Sequence, residues 1–316
     1  MSDAVFEPDE AAEVPAQPSL AEQTAHALMR LRRAIDATPD AALRLRRVAQ
    51  QVRETEPAVL AALLTEAAQG SITRGWRSVY LALAQWVLHS RPRPKFPVGH
   101  WPLPDDELAP QGVHLALAVA ACGPQNNAFA LIVLRDAFAR TGPSDGVLLN
   151  LHPSVEKWPL GVRRERARGI DKNILQLLLL DTTPAVVQIL AENPRVLETH
   201  AVQIASLRSQ HPWSLQSLLM VPRWMGNERV VEAVLRNPSA PAWLVLLLAP
   251  LVARRVQMAV VHLPWLAQPV AQELARWHGV TLAPTNLGEE PPTGVFLVSD
   301  DGDLVPYADD YGDGET

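Results

Sequence analysis

The stretch Val186–Pro194, VVQILAENP, returns as VVEAVLRNP at Val230–Pro238 and, with Leu263 in place of the asparagine, as VQMAVVHLP at Val256–Pro264. In the first copy Val186, Val187, Ile189 and Leu190 fall at i, i+1, i+3 and i+4, the one-sided apolar stripe of a helix about three turns long. A helix cannot bury such a stripe alone, so successive units have to stack, each covering its neighbour's apolar face. The closing proline lacks an N–H and pushes the preceding residue out of the α region, which ends each helix ahead of it. Asparagine suits that junction because it tolerates a left-handed backbone and hydrogen-bonds locally. Pro184, behind Thr182 and Thr183, marks a helix start, a first-turn proline after an N-cap. The pattern predicts an all-α fold, an α-solenoid of stacked helix pairs.

Composition agrees. Aromatic residues make up only 5% of the 316, while Leu, Ala and Val abound, as close-stacked helices require. The single cysteine, Cys122 in the apolar run LALAVAAC, excludes an internal disulfide framework and any multi-thiolate metal or iron–sulfur site, and reads as a small buried apolar residue. The first residues form neither a basic n-region nor an apolar h-region, and no apolar run approaches the ~20 residues that span a bilayer. A cytoplasmic protein without a membrane span is expected. Residues 1–18 hold five acids and residues 281–316 hold nine, with no Lys or Arg in either. Between them the 28 Lys and Arg stand against 20 acids, a body of net charge +8 with acidic ends.

In order along the chain, residues 1–18 are too polar to bury a core and are expected to be a disordered acidic tail. A helical unit follows over 19–90. Ser19 and Glu22 form a capping box opening a helix to about Arg33; further helices run from about Asp40 to Arg53, from Pro57 to Ala68 and from Ile72 to Leu88. Arg30, Arg32, Arg33, Arg44, Arg46, Arg47 and Arg53 make these helices basic on their outer faces. Five prolines in RPRPKFPVGHWPLP, Arg91–Pro104, mark a connection over 91–110. Helices from Gln111 to Cys122 and from Pro124 to Arg140 open a repeat array over 111–280. The last segment, 281–316, is a second acidic tail, in which VFLV at Val295–Val298 and LVPY at Leu304–Tyr307 read as a weak hairpin or as one short apolar element. Pro306 speaks against a central strand.

The segment GVRRERARG places Arg163, Arg164, Arg166 and Arg168 just ahead of the repeats, a candidate partner or phosphate contact. Successive helical residues point in different directions, so the four do not make one compact patch. Trp213, Trp224 and Trp243 stand beside prolines at unit edges, either filling wedges between helix pairs or lining an exposed groove as binding anchors. Phe296 and Tyr307 are the apolar anchors of the acidic tail, which can dock on the chain's own basic body or on a partner. Gly142–Gly146 formally matches G-x-S-x-G, but a nucleophile elbow needs a buried strand before the serine, and the helical IVLRDAFAR precedes it here. There is no P-loop, H-E-x-x-H or cysteine pair, and the nine histidines lie apart. No catalytic residue, metal ligand or cofactor is expected.

From Leu160 to Trp277 the chain resembles bacterial α-solenoid proteins of the HEAT-like and leucine-rich-repeat-variant type. It is also similar to a family of uncharacterised proteobacterial and myxobacterial proteins with an Arg-rich lead-in and helix pairs ending in Asn-Pro. The residues that carry the likeness are Leu160-Gly161-Val162-Arg163-Arg164, Ala191-Glu192-Asn193-Pro194, Pro222-Arg223-Trp224 and Leu235-Arg236-Asn237-Pro238. The resemblance implies a right-handed solenoid, and Leu263-Pro264 departs from it as a degenerate terminal unit. The cysteine-ligated cluster that leucine-rich-repeat-variant proteins can carry is beyond a single cysteine. A non-enzymatic scaffold or adaptor that binds another protein is the leading expectation. A nucleic-acid-binding solenoid using the +8 body and an enzyme in a helical-repeat fold are the alternatives.

Overall fold

The computed structural model describes residues 18–73, 75–90, 111–123, 125, 127–134, 152–208, 213–282, 296–298 and 304–306. The expectations for residues 1–17, for the connection at 91–110, for Gly142–Gly146 and for Tyr307 lie outside them.

The described fold is all-α apart from one short strand pair. Helix α1 (Leu20–Asp36) opens on the capping box, with Ser19 Oγ accepting from Glu22 N–H and Glu22 accepting in return from Ser19 N–H. Asp40 caps α2 (Ala41–Arg53) through Leu43 N–H. Helix α3 (Pro57–Thr73) runs a turn past the expected end, and α4 (Arg77–Ser90) begins correspondingly later than Ile72. The boundary is set by Gly75, whose φ of 70° is left-handed. The chain there turns tightly enough that a Cβ on Gly70 would lie 2.3 Å from the Trp76 ring, so only glycine fits.

Beyond these follow α5 (Gln111–Cys122), α6 (Ala128–Leu134), α7 (Pro153–Glu156), α8 (Leu160–Ala167), α9 (Lys172–Leu178), α10 (Pro184–Glu192) and α11 (Glu198–Ser206). The chain continues through α12 (Trp213–Leu219), α13 (Pro222–Met225), α14 (Glu228–Leu235), α15 (Ala242–Leu248) with its 3-10 extension Ala249–Leu251, α16 (Arg254–Val261) and α17 (Gln268–Trp277). Strands β1 (Phe296–Val298) and β2 (Leu304–Pro306) pair antiparallel, with Leu297 opposite Val305. Pro306 is the last residue of β2, where a missing N–H costs least.

The three repeat copies are α10, α14 and α16, and their closing residues do something the sequence reading missed. Asn193 is not left-handed: its φ of −66° and ψ of 123° are extended, as the following proline dictates. Its side chain reaches away from its own helix. Nδ2 donates to the carbonyls of Ala167 (2.8 Å) and Gly169 (2.9 Å) at the end of α8, while Oδ1 accepts from Arg195 N–H. Asn237 repeats the arrangement at the end of α14, donating to Ala205 (2.7 Å) and Leu207 (2.7 Å) at the end of α11 and accepting from Ser239 N–H. In the third copy Leu263 cannot do this, and Gln257, inside α16, instead braces the turn that leads into its own helix. Its Nε2 donates to Ala249 (2.9 Å) and Val252 (3.0 Å), and its Oε1 lies 2.8 Å from His278 Nε2. With both Nε2 hydrogens engaged, Oε1 is the acceptor and His278 carries its proton on Nε2.

The first four helices and the late array share one hydrophobic core. Helix α4 packs on α1, α2 and α3, and also on α13 and the 3-10 turn after α15. Polar bonds fix the same junction: Tyr80 Oη donates to Leu247 O (2.7 Å), Ser71 Oγ to Pro250 O (2.8 Å), Arg77 to Leu251 O, and Gln216 Nε2 to Leu88 O (3.1 Å). Burial of the Tyr80 hydroxyl pushes its pKa well above the usual tyrosine value. Helix α6 bridges α3 and α17, with Asn127 Nδ2 donating to Ala61 O and the Phe129 ring 4.8 Å from that of Trp277.

Replacing Asn237 by alanine leaves the buried Ala205 carbonyl without that partner, together with the part-buried Leu207 carbonyl and Ser239 N–H, which water reaches in part. A loss of about 1–3 kcal/mol in unfolding free energy is expected, since an unsatisfied buried group costs that much. Urea unfolding monitored by far-UV circular dichroism measures it, and a loss below about 0.5 kcal/mol would show that water replaces the side chain.

Candidate functional site

The four arginines ahead of the repeats all lie on or just after α8, and the structure sends them to different tasks. Arg163 Nη1 meets Asp181 Oδ2 at 2.6 Å and Thr183 Oγ1 at 3.2 Å. The Asp181 side chain is 0% exposed and that of Arg163 is 11% exposed. Asp181 Oδ1 in turn accepts from Thr183 N–H, the N-cap of α10, so the ion pair joins α8 to the first turn of α10. Arg164 is half-buried. Arg166 lies over the Trp158 ring, 3.8 Å from its centroid, and Arg168 faces Glu165 at 3.4 Å with both side chains largely in water. They form no single patch, and Arg163 is a structural residue.

Two of the three tryptophans are corrected as partner anchors. Trp224 and Trp243 are each only 5% exposed. Trp224 Nε1 donates to Ala191 O (2.8 Å), beside Arg223, whose Nη2 donates to Ala191 O and Asn193 O and whose guanidinium lies 4.1 Å from the Trp224 ring centroid. These residues close the end of α10. Trp213 is half-buried at the start of α12. Phe296 lies in β1, paired opposite Pro306.

Among the described residues an open groove of about 760 Å3 lies between α1 and the turn from α2 into α3. Pro18, His26, Met29, Arg30 and Arg33 form one wall and Glu54, Glu56 and Val59 the other. The Met29 side chain is 43% exposed, unusual for a large apolar residue, with buried Val59 across from it. Arg30 and Arg33 form no ion pair with a described residue, whereas Arg32, between them in sequence, lies 3.7 Å from Asp36 and near the Trp76 ring. The arginines of α1 were legible in the sequence, but the concavity was not, because it depends on how the α2–α3 turn meets α1. Other exposed apolar residues among those described are Leu20 on α1, Leu43 on α2, Leu117 on α5, Leu160, Val162 and Ile170 on and after α8, and Leu197 ahead of α11.

On the polar surface Glu198 joins layers, accepting from Asn227 Nδ2 (2.8 Å) and Arg229 Nη1 (3.0 Å), and these bonds hold its carboxyl below the usual range. Partial burial, reinforced by the charge of Arg254, depresses His278. Cys122 is buried, its thiol pushed up to about 11. Among the described residues no three His, Cys, Asp or Glu side chains are grouped to hold a metal ion, and no helix is long and apolar enough to cross a membrane. Compared with known proteins, the chain matches no family model, no curated protein and no solved structure.

Truncating one member of a buried ion pair strands the other charge. Arg163→Ala is expected to cost about 3–5 kcal/mol, while Arg168→Ala, at an exposed pair, should cost less than about 1 kcal/mol. Parallel denaturant titrations of the two variants check the contrast, and equal losses would contradict the separate roles assigned to them.

Proposed function

We propose that this protein is a non-enzymatic interaction scaffold: a cytoplasmic, right-handed α-solenoid of HEAT-like kind that presents its helical surface to another protein. Its acidic residues 281–316 serve as a docking or regulatory element. The observation that supports this reading is the stapling of one helix end to an earlier one by Asn193 and again by Asn237. Isolated helices of seven to ten residues are not stable in water. Here they are held in fixed relation by bonds at their ends, which leaves exposed apolar residues such as Leu160 and Val162 on α8, and Ile170 and Leu197 at the junctions, free for contact. A rigid frame binds with little ordering cost, which favours its use as a recognition surface.

A second reading, nucleic-acid binding, draws support from Arg30, Arg33, Arg46, Arg47 and Arg53, all exposed on α1 and α2 and in no ion pair with a described residue.

The two readings separate in an affinity purification from native lysate, using the full chain and a version ending at Leu282, each with and without nuclease. The cut is placed there because Val280 and Leu282 pack against the core. A stoichiometric protein partner that survives nuclease is expected, and its loss on truncation would assign the contact to the acidic segment. Recovery of nucleic acid alone, increased by truncation and lost as salt rises, would overturn the scaffold reading.

A further inference from the structure

The groove between α1 and the α2–α3 turn opens where the chain enters the described structure, because Pro18 is part of its wall. We propose that residues 1–17 of this same chain are its occupant, an acidic segment bound in cis along the Arg30 and Arg33 wall.

The entry point is firmly held. Gln23 Nε2 donates to Pro18 O at 2.8 Å, and Ser19 is locked by its reciprocal bonds with Glu22. The residues ahead of Pro18 therefore leave from the groove itself.

Along the α1 wall, His26, Arg30 and Arg33 lie roughly 10, 16 and 21 Å from Ser19 at 1.5 Å per residue. An extended chain advances at most about 3.3–3.6 Å per residue. Glu13, five residues before Pro18, can thus reach about 17 Å and stand beside Arg30, while Glu10 reaches Arg33 with length to spare. The charges are complementary, since the segment holds Asp3, Glu7, Asp9, Glu10 and Glu13 and no Lys or Arg. Arg30 and Arg33 have no carboxylate partner among the described residues.

Glu54 and Glu56 on the facing wall repel the same acids and hold them to the α1 side; Glu54 already accepts from Gln50 Nε2. The exposed Met29 provides an apolar strip for Val14 or Phe6. Attachment at Pro18 gives a millimolar effective concentration, so individually weak exposed pairs suffice to occupy the groove. Occupancy in cis would make access to this surface conditional on displacing the segment.

The test uses the full chain with Ala11→Cys carrying a nitroxide; Cys122, 1% exposed, is protected from the label. Amide resonances adjoining the label, at Ser19–Gln23, broaden in any case. The proposal expects broadening also at His26–Arg33 and Thr55–Val59. That broadening should be lost in Arg30→Glu/Arg33→Glu and regained when Glu10→Lys and Glu13→Lys are added. Broadening confined to Ser19–Gln23, or insensitive to the charge reversals, overturns the proposal. So does equal broadening on isotope-labelled chains mixed with unlabelled, spin-labelled ones, which would make a second copy the source.

Discussion

Every helix ends with carbonyls that find no partner in the helix itself, and in this protein those ends make up an unusually large part of the fold. Helix α15 has seven residues and α13 four, so unsatisfied carbonyls outnumber or rival the satisfied ones. The structure answers with side-chain donors sent across from elsewhere. Asn193 closes α8, Arg223 and Trp224 close α10, Asn237 closes α11, Gln216 closes α4, and Tyr80, Arg77, Ser71 and Gln257 converge on the carbonyls of Leu247 to Val252. A donor missing from this set leaves a buried acceptor whose cost is paid in full, which is why the closures matter more than their individual strength suggests.

Apolar burial supplies most of the driving force but little of the register, since stacked Leu and Val faces tolerate sliding. The amide staples have no such tolerance. Each Asn side chain meets two carbonyls two residues apart and one local N–H, a geometry that only one offset between layers satisfies. The buried Arg163–Asp181 pair adds the same kind of constraint between α8 and α10, and Glu198 adds an exposed counterpart between α11 and the start of α14.

Much of this could be read before the structure, and what could not has physical reasons. The capping box at Ser19, the helix starts at Pro57 and Pro184 and the helix ends before Asn-Pro are local chemistry and are found where local rules place them, whereas the helix expected from Pro124 begins at Ala128 and Thr183 makes no side-chain cap bond. The α3–α4 boundary was displaced because one left-handed glycine, Gly75, outweighed the apolar pattern. Asn193 was recognised as special for part of the reason: its local bond to Arg195 N–H is present, but its backbone is extended rather than left-handed. Its position before proline is visible in sequence, but the carbonyls it serves lie 24 and 26 residues earlier and belong to the packing. Trp224 and Trp243 could not be divided between core and surface by spacing, because proline-flanked tryptophans suit both. The groove beside Met29 was invisible for a related reason, being made by two segments about thirty residues apart whose meeting angle no pattern encodes.

The central claim is that helices from both halves of the chain stand as one frame through bonds from side chains to helix-end carbonyls. Native-state hydrogen exchange under mild denaturant tests it most directly, read at the amides of α4 and α15 in the natural chain and in Tyr80→Phe. The account predicts that both helices exchange through one opening of the same free energy and that removing the single Tyr80 hydroxyl lowers it equally for both. Separate opening of residues 20–90, with α15 untouched by the substitution, would contradict it.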